Sequence, residues 1–104
     1  MNMYRFIKYH FYSSLEIFKL IYKIDNENKI KIFGDEFVVN NGNKCSIIYK
    51  DNIIPLSSYF LINDINKEDK INKKFEILLL EFEDISDRSY LFYNCKSLVI
   101  FPKF

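Results

Sequence analysis

Apolar and polar residues change their period several times along this chain, and each change marks a predicted element. From Ile17 to Ile24 the run Ile-Phe-Lys-Leu-Ile-Tyr-Lys-Ile has the β-branched and aromatic content of a strand. A turn-rich tetrad, Asp25-Asn26-Glu27-Asn28, separates it from Lys29-Ile30-Lys31-Ile32-Phe33, which alternates strictly. The pair predicts a β-hairpin with Ile30 and Ile32 inward and Lys29 and Lys31 in water. Gly34 ends the second strand, and Asp35 is placed to cap one helical turn holding Phe37 and Val38 before the Asn40-Asn41-Gly42-Asn43 turn. A second hairpin is predicted from Cys45–Tyr49, through Lys50-Asp51-Asn52, to Ile53-Ile54-Pro55-Leu56. Pro55 cannot donate to a ladder, so the returning strand is an edge or turns its missing donor outward. Ser57-Ser58-Tyr59-Phe60 reads as a helical turn that packs Phe60 inward, and the charged run from Asn63 to Lys74 as an exposed connection.

Phe75–Glu83 carries the clearest strand pattern. Leu78, Leu80 and Phe82 face one way while Ile77 and Leu79 face the other, so both sides are apolar in the middle and a central place in a sheet is expected. Residues 1–16 give no single reading. Ile7, Phe11, Leu15 and Phe18 fall at helical spacing, yet Tyr4, Phe6, Tyr9 and Tyr12 cover the other faces, and Ser13-Ser14-Leu15-Glu16 also matches a capping box.

Beyond the exit turn Asp84-Ile85-Ser86-Asp87 comes Ser89-Tyr90-Leu91-Phe92-Tyr93-Asn94-Cys95-Lys96-Ser97-Leu98, then Val99-Ile100-Phe101. A compact aromatic knot, an Asn-Cys turn and an apolar run of strand length follow one another, which is how one turn of a leucine-rich solenoid is written. The stretch resembles the repeat of the BspA-like leucine-rich-repeat surface proteins, whose core reads approximately S-x-M-F-x-x-C-x-S-L before a short strand. Leu91 stands where that pattern prefers Met. Ile30–Val38 and Cys45–Tyr49 resemble, more loosely, the segment that precedes such arrays.

The resemblance implies a repeat core made of Leu78, Leu80, Phe82, Leu91, Phe92, Cys95, Leu98 and Ile100. In it Leu91 and Phe92 point inward from a half-turn of helix, Cys95 sits in the turn beside backbone amides, and Leu98 and Ile100 enter from the next strand. Leu78 to Leu98 is about one repeat period, so the Phe75–Glu83 and Leu98–Phe101 strands are expected side by side and parallel. The fold class expected is predominantly β, a β-rich α+β chain in which antiparallel hairpins lead into the first turn of a leucine-rich-repeat solenoid. Its divisions are an N-terminal extension (1–16), a β-rich leading module (17–74) and a first repeat (75–104) of a truncated array.

Composition narrows the function classes. The chain of 104 residues is one domain by size, and with 49% hydrophobic and 28% charged residues it is globular in type. A net charge of +1 argues against a nucleic-acid surface. Aromatics at 18% would suit base stacking, but Asn, Lys, Ile, Tyr and Phe are all over-used while Ala, Thr, Gln and Trp are absent. That is the profile of an AT-rich coding sequence, in which most rings are ordinary core and surface residues. No apolar run approaches the roughly 20 residues that span a bilayer, and Met1–His10 interleaves charge with rings instead of forming a signal core. Neither membrane insertion nor export is expected, which leaves the cytoplasm as the default and departs from what a surface-protein family implies.

Enzymatic readings want for parts. His10 is the only imidazole and lies in the least readable segment, and Cys45 and Cys95 are far apart, so a zinc site would recruit ligands from three unrelated places. Two reduced, buried thiols are expected, a disulfide requiring that the fold bring them together. Glu81, Glu83, Asp84 and Asp87 lack the alternating ligands of a calcium loop and read as a solvated strand end. Gly34 and Gly42 are the only glycines, too few for a phosphate-cradling loop. No cofactor, metal or catalytic residue is therefore expected. The function expected is a non-catalytic protein–protein interaction module with a protein partner, the alternative being a self-contained small β-rich structural or partner-binding domain. A single repeat cannot bury its own flank, so self-association through the C-terminal strand edge is expected as well.

Overall fold

The computed structural model of the chain describes residues 15–85 and 87–102. The extension predicted over residues 1–16 lies outside them except for its last two positions. Leu15 is buried and Glu16 already opens a strand, so the Ser13–Glu16 capping box does not start a helix there.

Chain order is β1 (Glu16–Lys23), β2 (Lys29–Lys31), α1 (Asp35–Asn41), β3 (Cys45–Tyr49), β4 (Asn52–Pro55), β5 (Tyr59–Leu61), a 3-10 turn (Ile62–Asp64), α2 (Lys67–Asn72), β6 (Lys74–Glu81) and β7 (Leu98–Ile100). The protein is β-rich and its sheets are antiparallel. Five strands form one sheet in the order β4-β3-β6-β1-β7, and β2 pairs with β5 in a second. β6 sits at the centre as its two apolar faces require, registered against β1 from Lys23↔Lys74 to Glu16↔Glu81 and against β3 from Ile48↔Leu78 to Cys45↔Glu81.

Alternation along these strands sorts their side chains into two layers. Leu20 and Tyr22 of β1, Phe75, Ile77 and Leu79 of β6, and Ile47 and Tyr49 of β3 share the face that meets the main core. Over that face pack Phe33 and Phe37, the β2–β5 pair through Ile30 and Phe60, and Leu91 and Leu98 from the C-terminal stretch. Rings interlock here: Phe60 stands edge-on to Tyr49 at 4.9 Å and tilts on Phe75 at 5.3 Å, while Tyr22 stacks on Phe75 at 5.6 Å. The opposite face carries a smaller cluster of Leu15, Ile48 and Leu80 with Ile17, Leu78 and Phe82 against it.

The hairpin predicted across Cys45–Leu56 forms, with Lys50-Asp51 as a two-residue turn and Lys50 at φ 56°. Tyr49 and Asn52 close that turn, so Ser46↔Pro55 is a pair without ladder bonds and the missing donor of Pro55 faces away from the sheet. The hairpin predicted across Ile17–Phe33 does not form. β1 is long enough to serve two neighbours, β6 and β7, whereas β2 has three residues and lies over the sheet instead of beside β1. The Tyr22 hydroxyl, on the core side of β1, donates to the carbonyl of Ile32 and holds that crossing.

Two further segments differ from expectation. Ser57–Phe60 is not a helical turn: Tyr59–Leu61 extends to pair with Lys29–Lys31, although Phe60 is buried. The charged run Asn63–Lys74 is more than a connection, because Asn66 caps α2 by accepting from the Asp69 amide at 2.9 Å and Lys73 ends it in the left-handed region at φ 59°. α2 is fastened by Asp69, which is buried and accepts from the Tyr49 hydroxyl at 2.6 Å and pairs with Lys50 at 3.3 Å.

Candidate interaction surface

The stretch from Asp84 to Pro102 joins the end of β6 to the far edge of the sheet, and its polar ends fix it first. Glu81 is 3% exposed at the last position of β6, and Arg88 grips its carboxylate with both terminal nitrogens, one bond measuring 2.8 Å. Such a two-point pair supplies the geometry and counter-charge that a buried carboxylate needs. The expectation that Glu81 belongs to a solvated strand end is corrected here, whereas Glu83 and Asp84 are exposed. Asp87 closes a local turn on the Ser89 amide at 2.8 Å, the Ser89 hydroxyl and then that amide hold its carboxyl below the usual range, and its carbonyl accepts from the Asn41 side chain at 3.3 Å.

From Arg88 onward the backbone winds through successive four-residue turns, each closed by a bond from an amide to the carbonyl three residues earlier. Leu91 N–H donates to Arg88, Tyr93 to Tyr90, Cys95 to Phe92 and Leu98 to Cys95, all through carbonyl oxygens at 3.1 to 3.2 Å. Tyr90 and Asn94 take positive φ, 62° and 61°, which for Asn is a common conformation and for Tyr a costly one. The winding turns Leu91 inward and sets Phe92 6.1 Å from Phe33 in a stack, with Phe101 edge-on at 5.8 Å. Gly34 donates to the Leu91 carbonyl at 2.9 Å and Lys23 to the Ser97 carbonyl at 2.8 Å. β7 then pairs with β1 through Tyr22↔Leu98 and Ile21↔Ile100, with an irregularity between them.

The eight residues expected to form one repeat core are divided by the sheet. Leu91 and Leu98 lie in the main core, with Phe92 and Cys95 half-buried against it. Leu78, Leu80 and Phe82 lie on the opposite face, and Ile100 is 47% exposed. The strands expected side by side are not neighbours either. β6 and β7 run in the same direction, but β1 lies between them, antiparallel to both.

What the stretch turns outward is apolar. Of the ten large hydrophobic side chains exposed among the described residues, five are Tyr90, Tyr93, Val99, Ile100 and Phe101. Tyr90 and Tyr93 meet edge-on at 5.7 Å. The edge of β7 away from β1 carries no strand among the described residues. Beside this patch an open polar cleft of about 430 Å³ brings Lys29, Lys31 and Lys96 together with Asp25, Glu27 and Tyr59. Lys29 rests over the Tyr59 ring at 4.1 Å and Lys31 pairs with Asp35 at 3.2 Å.

Reactive groups are muted by their surroundings. Both thiols are free, and burial pushes Cys45 up to about 12 and Cys95 up to about 11, so each keeps its proton at neutral pH. Among the described residues no group of three or more His, Cys, Asp or Glu is placed to hold a metal ion, and no helix is long and apolar enough to cross a membrane. His10 lies outside the described residues. Sequence reasoning missed Gly34, Asn41 and Arg88, which position the stretch. The one signal was the rarity of glycine, since a chain with two of them places each for a reason. Comparison with protein-family models, with curated proteins and with solved structures finds no match for this chain.

Proposed function

We propose that the chain is a non-catalytic protein–protein interaction module, the leading segment of a BspA-like leucine-rich-repeat protein. One observation carries the reading: Ser89–Leu98 winds through consecutive turns with Leu91 and Leu98 inside, and delivers the chain into a strand whose outer edge carries no neighbour among the described residues. A solenoid repeat needs those features, because it hands one strand to a growing sheet and leaves its flank for the next unit. The place of β1 fits a leading module. A first repeat has no predecessor to cover it, and a strand inserted between β6 and β7 covers that flank. The exposed rings of Tyr90, Tyr93 and Phe101 suit a protein partner, since aromatic side chains offer large contact area at small entropic cost.

The test is the coding sequence beyond Phe104. Further S-x-x-F-x-x-C-x-S-L units at roughly 20-residue spacing support the array. Their absence leaves the second reading, a self-contained small β-rich domain, which is favoured by the way β1 joins residues from both ends of the chain in one sheet.

A further inference from the structure

We infer that the edge of β7 away from β1, which carries no strand among the described residues, pairs with the same edge of a second copy of this chain, antiparallel and about a two-fold axis, joining two five-stranded sheets into one. The inference rests on the interaction reading for its surface and goes beyond it in naming the occupant.

The two edges of the large sheet differ in what they offer. On β4 the closing pair Tyr49↔Asn52 leaves Ile53 and Pro55 turned outward, and Pro55 has no N–H, so that edge presents a single donor. Proline on an edge is a common guard against strand addition. On β7, Leu98, Val99 and Ile100 carry neither charge nor proline, so only the strand's three-residue length and the irregularity in its pairing with β1 limit the ladder it offers. Val99 and Ile100 are both about half exposed, at 55% and 47%, and Ile100 stands opposite Ile21, one residue along β1 from the core-facing Tyr22. A strand laid along this edge therefore gains main-chain bonds and covers the half-exposed side chains of Val99 and Ile100.

A second copy supplies a matching edge. An isologous contact places the same patch on both sides, and an antiparallel strand continues the antiparallel order of the sheet. Tyr90, Tyr93, Val99, Ile100 and Phe101 are between 47% and 64% exposed. At ~150–250 Å² for a large aromatic side chain, their exposed surface comes to about 500 Å² per copy. Doubled, that is about 1,000 Å², the lower bound for a specific interface, so the dimer is weak and concentration-dependent.

Sedimentation velocity on the full chain, from about 10 μM to about 1 mM, reads this directly, since contacts of that size dissociate in that range. The weight-average mass is expected to climb toward two chains. Val99→Lys, which sets a charge on the edge at an exposed position, weakens the association at least tenfold, whereas Val39→Lys, at an 80% exposed position on α1, leaves it unchanged. A wild-type chain that stays monomeric throughout overturns the inference. So does association that survives Val99→Lys and is lost in Ile53→Lys, which would assign the contact to β4. Either result leaves the array reading standing, because that reading depends on the units beyond Phe104. In a chain extended by such a unit, dimerisation is expected to disappear as the unit takes the edge, and a dimer that persists there overturns the inference too.

Discussion

Gly34 and Tyr90 approach so closely that a Cβ on Gly34 would stand 1.8 Å from the Tyr90 carbonyl oxygen. The obstacle is backbone, and Gly34 also donates to the Leu91 carbonyl, so neither side can yield without unwinding the turn that places Leu91 in the core. Gly34→Ala is expected to lower stability by about 2–4 kcal/mol, the range of overpacking with loss of a buried contact. Gly42→Ala, at φ −60° and facing only the Val38 carbonyl at 3.2 Å, is expected to stay within about 0.5 kcal/mol of wild type. Urea denaturation of the two variants compares them, and equal midpoints would show that the close approach does not matter.

Glu81 and Arg88 are expected to behave as a unit. Arg88→Met leaves a buried carboxylate without its main counter-charge and should cost about 2–4 kcal/mol, somewhat under the range for fully buried pairs because Arg88 itself is about one-third exposed. Adding Glu81→Leu removes the stranded charge and is expected to recover more than half of that loss. A double variant no more stable than Arg88→Met alone would mean that the pair does not hold the stretch to the sheet.

The parts of this fold that were legible in the sequence are those decided by local pattern. Cys45–Pro55 reads correctly as a hairpin because its alternation and its turn adjoin, and β6 reads as central because apolar residues occupy both of its faces. Pairing between distant segments was not legible. Turn chemistry at Asp25–Asn28 favours folding β2 back on β1, but β6 pairs with all eight residues of β1, and three-residue β2 pairs with β5 over the sheet instead. α2 hid for a different reason: its buried side is made by Asp69, a polar residue that a hydrophobic pattern ignores. The spacing of Asn66 and Asp69 was the available cue. In the candidate surface, Leu91 and Leu98 lie inward as expected, while Leu78, Leu80 and Phe82 are separated from them because they alternate on β6 with Ile77 and Leu79, which take the face of the main core.

Tyr49 is expected to govern α2. Its hydroxyl donates to Asp69 and accepts from the Asn66 amide at 3.0 Å, so Tyr49→Phe deprives both of a partner. The expected loss is about 1–3 kcal/mol, the cost of leaving a largely buried acceptor short of a hydrogen bond. Amide exchange should quicken across Lys67–Asn72 more than in β6. Uniform quickening in both would place the role of Tyr49 in global packing instead.

Alkaline pH should unfold the protein from a definite starting point. Burial raises the Cys45 thiol from 9.0 to about 12 and the Cys95 thiol from 9.0 to about 11. Burial, with the hydrogen bond to Asp69 second, raises the Tyr49 phenol from 10.0 to about 12, and burial raises Tyr22 as well. A group that holds its proton more tightly when folded contributes stability that is complete below its unfolded pKa and is lost as pH climbs through the folded one. Stability is therefore expected to be insensitive to these groups below about pH 8.5, to decline above about pH 9 as the thiols are called on to ionise, and to fall faster above about pH 10 when the phenols join. Each group adds at most about 1.4 kcal/mol per pH unit. Cys45→Ala should cost about 1 kcal/mol at pH 7 for the small void it leaves, yet make the decline between pH 9 and pH 10 shallower than in wild type. Denaturant midpoints measured from pH 7 to pH 11 check both slopes, and a wild-type curve that stays flat to pH 11 would rule out the buried thiols and phenols as the groups that set the alkaline limit.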